Sequence, residues 1–264
     1  MDLKLKGRRA LVTGSTAGIG FAIARGLASE GARVTLTGRS QASVDAAVGR
    51  LRGSLPSAQA DGIAADCASA PGADAVWARV PEVDILVNNL GVYERKSFFD
   101  IPDADWLRLY ETNVLSGIRF ARHYAPGMAR GGWGRVLFVS SESALNIPKE
   151  MIHYGMTKTA QLAVSRGLAM ELAGTGVTVN ALLPGPTRTE NTERLRAERA
   201  RAANKTVAEI EADFFAHFRP TSLLKRFTSA EEVANLALYL CGEGASATTG
   251  AALRVDGGVV RSIA

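Results

Sequence analysis

Apolar residues along the chain fall into two alternating rhythms. Short, nearly continuous apolar runs occur at Ala10–Thr13, Arg33–Thr37, Gly62–Ala65, Ile85–Asn88, Arg135–Ser140, Val177–Leu183 and Ala252–Val255. Between them lie longer stretches in which apolar residues recur at helical spacing, including one from about Tyr154 to Leu172. Strands without polar alternation are those buried on both faces. The pattern therefore predicts an α/β fold, a mainly seven-stranded parallel sheet with helices on both faces. One stretch, about 186–226, breaks the rhythm. It shows no clear strand, is charged and helical in pattern, and carries the aromatic cluster Phe214, Phe215, His217 and Phe218.

The first run leads directly into Gly14-Ser15-Thr16-Ala17-Gly18-Ile19-Gly20, then into the helical stretch Phe21–Ala28 and a second strand at Arg33–Thr37. Strand, glycine turn and helix in this order form a phosphate-binding device. Gly14 permits a tight turn, Gly18 lets a pyrophosphate approach the backbone, and Gly20 lets the helix pack close to the strand. The second strand completes a βαβ unit of the Rossmann type, doubly wound about a dinucleotide crevice. The residues after it are Gly38, Arg39 and Ser40, with no acid to hold a ribose 2′-hydroxyl. Arg39 can instead pair with a 2′-phosphate and Ser40 can add a hydrogen bond, which favours NADP(H) over NAD(H) without excluding the latter.

Tyr154 and Lys158 stand four residues apart, so on a helix the phenol and the ammonium share a face. A phenol is a poor base near neutrality; a fixed cation beside it stabilises the phenolate. Such a pair on a solvated helix is commonplace, and its meaning comes from its companions. Those companions resemble the short-chain dehydrogenase/reductase family nearly end to end. Thr13–Gly20 is similar to the family's TGxxxGxG turn, and Asn88-Asn89-Leu90-Gly91 to its NNAG segment, with Leu90 where alanine is usual. Asn113 stands at the place of the structural asparagine, Ser141 precedes Tyr154 by thirteen residues, and Tyr154–Lys158 matches YxxxK. Pro184-Gly185 and Val255-Asp256-Gly257-Gly258 match the remaining landmarks.

The resemblance implies an NAD(P)(H)-dependent oxidoreductase acting on a carbonyl/alcohol pair. Its catalytic set would be Asn113, Ser141, Tyr154 and Lys158. Tyr154 would be the general acid/base, Ser141 would bond the substrate oxygen, and Lys158 would lower the Tyr154 pKa and hold the nicotinamide ribose. Asn113 would position a water leading from Lys158 to solvent. Gly14, Ser15, Thr16, Gly18, Ile19, Asn89, Gly91, Pro184, Gly185, Thr187 and Thr189 would join Arg39, Ser40, Tyr154 and Lys158 around the cofactor. Asp66 would bond the adenine; an aspartate there can equally cap the next helix. The stretch 186–226 would be a substrate lid on a single domain spanning 1–264, and a homotetramer is implied, with a dimer also compatible. The alternative is a catalytically silent dinucleotide-binding regulator on the same fold.

Composition narrows the picture further. With 264 residues, 47% of them hydrophobic, the chain suits one large α/β domain. No apolar run approaches the roughly 18 residues of a membrane span, so no membrane association is expected. The net charge of +5 comes from arginines interleaved with acids, as in Glu193–Arg199, a solvated-helix pattern rather than a nucleic-acid stripe. Cys67 and Cys241 lack metal or disulfide spacing, and His123 and His217 are isolated, so a cytoplasmic protein without a catalytic metal is expected. His153 reads as a surface or pocket-wall residue. Tyr93, Trp133, Glu142, Ile147, Met151 and the Phe214–Phe218 cluster are candidates for the substrate pocket, whose ligand the sequence leaves open among sugar alcohols, ketoacyl thioesters, steroids and small ketones.

Overall fold

The computed structural model describes residues 2–263; the two chain ends of the 1–264 reading lie outside them. In chain order the elements are β1 (Arg9–Val12), α1 (Gly18–Ser29), β2 (Arg33–Gly38), α2 (Gln41–Ser54), β3 (Ala60–Ala64), α3 (Ala70–Arg79), β4 (Ile85–Asn88), α4 (Asp103–Tyr110), α5 (Ser116–Arg130), β5 (Gly134–Val139), α6 (Ile152–Glu171), β6 (Val177–Pro184), β7 (Thr187–Arg188), α7 (Glu190–Ala203), α8 (Val207–His217), β8 (Thr228–Ser229), α9 (Ala230–Cys241) and β9 (Ala252–Val255). Seven strands form one parallel sheet in the order β3-β2-β1-β4-β5-β6-β9. The order reverses between β1 and β4, which opens a crevice beyond their carboxyl ends.

Side-chain alternation explains the layers. Ala10 and Val12 of β1 join the core beneath α1, α2 and α9, while Leu11 joins the core beneath α3, α5 and α6. Every residue of β4, β5 and β6 is buried, as uninterrupted apolar runs require of central parallel strands. Full burial of each aliphatic side chain contributes about 1.5–3 kcal/mol. Cys67 and Cys241 are buried free thiols within these two cores.

The stretch 186–226 does contain a strand. Thr187–Arg188 pairs in parallel with Thr228–Ser229, tying the base of the insertion to the start of α9. Two residues are too few to show any periodicity in a sequence. Between them α7 and α8 pack together, and reciprocal capping boxes at Thr189/Thr192 and Thr206/Glu209 begin each helix. Phe214, Phe215, Phe218 and Phe227 cluster, with ring centroids 5.0–6.0 Å apart.

Candidate active site

Asn88, Val139 and Pro184 end β4, β5 and β6, so the residues following them gather with the glycine turn at the crevice. A cavity of about 320 Å³ lies there. It brings together Gly14, Ile19, Asn89 and Gly91 with Ser141, Tyr154 and Lys158. Pro184, Gly185, Thr187 and Thr189 close its other wall. Sequence reasoning missed Ala17, Val92 and Thr192, which also line it with Ser140; only their closeness to the matched residues pointed there.

The turn is shaped for close approach. Gly14 and Gly18 have φ of +59° and +58°, a region glycine enters without strain. Asn89 braces the turn, its Nδ2 donating to the carbonyls of Thr13 and Gly14 at 2.9 Å each. A Cβ on Gly20 would come within 2.4 Å of that Nδ2, so any side chain there would break the brace. Leu90, the residue that departs from the family pattern, packs against Gly14: a Cβ there would lie 3.2 Å from Leu90 Cδ1. Ser15 is fully buried, with its hydroxyl donating to Val12 O at 2.7 Å and accepting from Thr37 N at 3.1 Å, so that hydroxyl joins β1 to β2. Thr16 packs its methyl toward Gly38. Helix α1 has no side-chain cap, which leaves a positive, amide-rich N-terminus facing the crevice. One amide there is engaged: Gly18 N donates to Glu190 Oε2 of α7 at 2.9 Å.

Beyond β2, Arg39 is exposed and forms no salt bridge among the described residues. Ser40 Oγ caps α2 through Ser43 N at 3.3 Å. Asp66 accepts from Ala68 N at 3.2 Å, while α3 is capped by Ser69; the capping alternative for Asp66 is therefore corrected. Serine three residues later was the better cap because its Oγ reaches Gly72 N at 3.1 Å.

Across the crevice, Tyr154 and Lys158 lie on α6, with Lys158 Nζ 5.6 Å from the phenol ring centroid. Lys158 is buried and donates to Val139 O at 2.9 Å and Gln161 Oε1 at 3.2 Å. Burial pushes its pKa down to about 7, and burial pushes Tyr154 up to about 12, opposed by a hydrogen bond with Ser141. Both shifts share one cause, since desolvation disfavours the charged form of each group. Ser141 ends β5's extension and accepts from Ser143 N at 3.1 Å. Its neighbour Ser140 donates to Lys158 O at 2.8 Å, a structural role.

Asn113 sits in a π-helical turn, Glu111–Leu115, between α4 and α5. Its amide clasps Val92, accepting from Val92 N at 2.8 Å and donating to Val92 O at 2.9 Å. Its backbone carbonyl accepts from Gln161 Nε2 at 2.6 Å. Gln161 also accepts from Lys158 Nζ, so this side chain links the Asn113 carbonyl to the ammonium. Nothing in the sequence distinguished Gln161 from any other glutamine on a helix.

Several pocket candidates are corrected. Trp133 lies away from the cavity, sandwiched between Arg8 and Arg135 and bonded to Glu243. His153 is fully buried rather than at the surface, against Trp106 with ring centroids 5.8 Å apart, since α6 turns that side inward. Glu142 is buried and paired with Arg219, Nε to Oε1 at 2.7 Å, so it faces neither solvent nor the cavity wall. Tyr93 does line the cavity, its ring 6.1 Å from that of Tyr154. Among the described residues no cluster of three metal-ligating side chains occurs, and no helix is long and apolar enough to cross a membrane.

A seven-stranded doubly wound sheet, with a glycine turn at its switch point and a Ser–Tyr–Lys set across the crevice, defines a Rossmann-type oxidoreductase architecture. Comparison with known proteins agrees. A family model described as enoyl-(acyl carrier protein) reductase matches residues 14–260. The uncharacterised oxidoreductase YvaG of Bacillus subtilis is 45% identical over 263 residues, covering all of both chains. D-beta-hydroxybutyrate dehydrogenase of Rhizobium meliloti is 33% identical, covering 95% of this chain and 98% of the relative. The crystal structure of L-sorbose reductase from Gluconobacter frateurii, complexed with NADPH and L-sorbose, superposes with a TM-score of 0.93 at 31% identity, covering all of both chains. The chain belongs to the short-chain dehydrogenase/reductase family of oxidoreductases.

Proposed function

We propose that this protein is an NADP(H)-dependent oxidoreductase that interconverts a carbonyl and an alcohol, with Tyr154 as general acid/base. The observation that carries the reading is the single cavity that unites Ser141, Tyr154 and Lys158 with the glycine turn. The fit to a dinucleotide rests on the cradle itself: left-handed Gly14 and Gly18, and the uncapped N-terminus of α1. When bound, the dinucleotide supplies or accepts the hydride. Its pyrophosphate would lie against Gly14, Thr16, Gly18 and Ile19, and its 2′-phosphate against Arg39 and Ser40. Asp66 would meet the adenine, and Asn89, Gly91, Pro184, Gly185, Thr187 and Thr189 would enclose the nicotinamide half.

The chain's own groups then handle the proton. A Tyr154 phenol held at about 12 is fully protonated near neutrality, the form that donates to a carbonyl oxygen during reduction. Ser141 holds that oxygen and stabilises its developing charge. Lys158, joined through Gln161 to the Asn113 carbonyl, orients the ribose and supports the phenolate. Helices α7 and α8 act as the lid of a single domain. The preference for NADP(H) draws on Arg39, and on NADPH in the sorbose reductase complex and in the actinorhodin ketoreductase structure. Homologues named for a hydroxy acid, a sugar and a steroid leave the substrate class open. A cytoplasmic homotetramer is part of the same reading.

Titration with NADPH and with NADH, followed by nucleotide fluorescence, tests the cofactor assignment; tighter NADH binding would overturn the role of Arg39. Tyr154→Phe removes only the phenol, and should abolish carbonyl reduction while the NADPH Kd stays within about twofold. Surviving turnover in that variant would refute the acid/base assignment. A wild-type protein that binds nucleotide but reduces no carbonyl would favour the silent regulator instead.

A further inference from the structure

A second cavity, of about 570 Å³, adjoins the first and shares Tyr93 and Thr192 with it. It lies between the lid helices and the Tyr93–Arg95 segment, and its apolar walls include Leu195, Ile210, Phe214 and Phe218. Its charge is unbalanced. Both acids on its walls already hold a cation: Glu94 with Arg108 at 2.6 Å, and Asp213 with Lys205 at 2.5 Å. Arg196 is engaged by Glu193 and Glu211. The remaining two arginines, Arg95 and Arg199, form no ion pair among the described residues. Arg95 stands over the Phe218 ring at 5.2 Å. Burial pulls its pKa below the usual guanidinium value, the charges of Arg199 and Arg219 add to this, and Glu150 offsets only part. An anion between the two guanidinium groups would relieve that repulsion.

We propose that Arg95 and Arg199 form an anion subsite and that the substrate is an acidic carbonyl compound with an apolar body. This rests on the carbonyl/alcohol reading above. The reacting carbonyl would meet Ser141 and Tyr154, the apolar body would pass Tyr93 and lie on Phe214 and Phe218, and the anionic end would reach the arginines. Guanidinium groups accept a carboxylate or a phosphate monoester alike, through paired N–H donors. A neutral sugar would leave both cations without a partner and gain little from the phenylalanines.

The test uses the whole protein and a chain-length series of phenyl ketones ending in a carboxylate, a phosphate monoester or a primary amide. NADPH-dependent reduction should favour the anionic members by about tenfold or more in kcat/KM, through KM. The carboxylate and phosphate arms decide which anion the subsite prefers. Arg95→Leu and Arg199→Leu should each erase most of the anion-to-amide ratio. Cofactor-free wild-type protein should be stabilised against heat by the anionic members, and R95L much less so. Equal reduction of amides and anions, or an unchanged ratio in both variants, would overturn the subsite and leave the oxidoreductase reading standing. Anion-dependent thermal stabilisation lost in R95L, with no reduction of any ketone, would uphold the subsite and refute the carbonyl reading. No stabilisation and no reduction would overturn both.

Discussion

Glu190 reaches the glycine turn against which the proposed dinucleotide would lay its pyrophosphate. Its Oε2 accepts from Gly18 N at 2.9 Å, and its other oxygen lies 3.9 Å from Arg50 Nη1. A phosphate oxygen seeking the Gly18 amide must displace this carboxylate or sit beside it. The carboxylate side chain is 58% exposed, so its contact is worth far less than a buried charged hydrogen bond. Discounted for solvent, about 0.5–1 kcal/mol is a fair magnitude. Repulsion from a phosphate about 4 Å away would add a term of about 1 kcal/mol in bulk water, unless Glu190 swings clear. Glu190→Gln removes the charge and weakens the grip on Gly18 with little change of shape. The expected result is NADPH binding tighter by about two- to fivefold, since 1.4 kcal/mol is tenfold.

Two features separate this from a general electrostatic effect. Glu190 begins α7 and its charge favours the helix dipole, so Gln should lower thermal stability slightly, by about 0.3–1 kcal/mol, while affinity rises. The affinity gain should also shrink in high salt, because the Glu190 carboxylate is exposed. Fluorescence titrations of both proteins at low and high ionic strength, alongside thermal melts, read all of this. Equal or weaker NADPH binding by E190Q at low salt would show that Glu190 does not compete for the turn.

Further expectations concern charge burial. Lys158 is held at about 7 against an ordinary 10.5, so between those values the unfolded chain binds a proton that the folded one lacks. Stability of the cofactor-free protein should therefore rise with pH from about 7 to 10.5 by up to a few kcal/mol, and Lys158→Met should remove that rise; urea unfolding of both at several pH values checks it, and parallel curves would refute it. Glu142 and Arg219 form a buried pair, so E142Q or R219M alone should cost about 3–5 kcal/mol, and the double variant less than the sum. Strict additivity in denaturant melts would mean that the two do not act as a pair.

The sheet was legible because central parallel strands are uninterrupted apolar runs, and all seven were read from sequence to within two residues at each end. The glycine turn and the Ser141–Tyr154–Lys158 set were legible because local spacing carries their geometry. What escaped depends on distance along the chain or on burial. The Gly18–Glu190 contact joins residues 172 apart, and in sequence Glu190 is one acid among many on a charged helix. Gln161 gains meaning only when α6 packs against the turn holding Asn113. The Tyr154–Lys158 spacing suggests a lowered phenol pKa; the desolvation that reverses it is a property of the packed site.

Two charged contacts of the proposed lid differ in kind, and this bears on how it would open. At its start, α7 touches the glycine turn through an exposed carboxylate of small net worth that an anion can replace. At its end, Arg219 beyond α8 grips Glu142, next to Ser141, through a buried ion pair whose separation would strand two charges. Arg219 also donates to Phe218 O, which fixes the turn that follows α8. The far end is therefore an anchor and the near end a release, so motion of the lid should pivot about Arg219 and begin at Glu190. On the proposed reading, entry of a dinucleotide would free the N-terminus of α7 while the residues beside Ser141 stay in place. Cofactor and lid would thereby be coupled through one carboxylate, without disturbing the group proposed to hold the substrate oxygen.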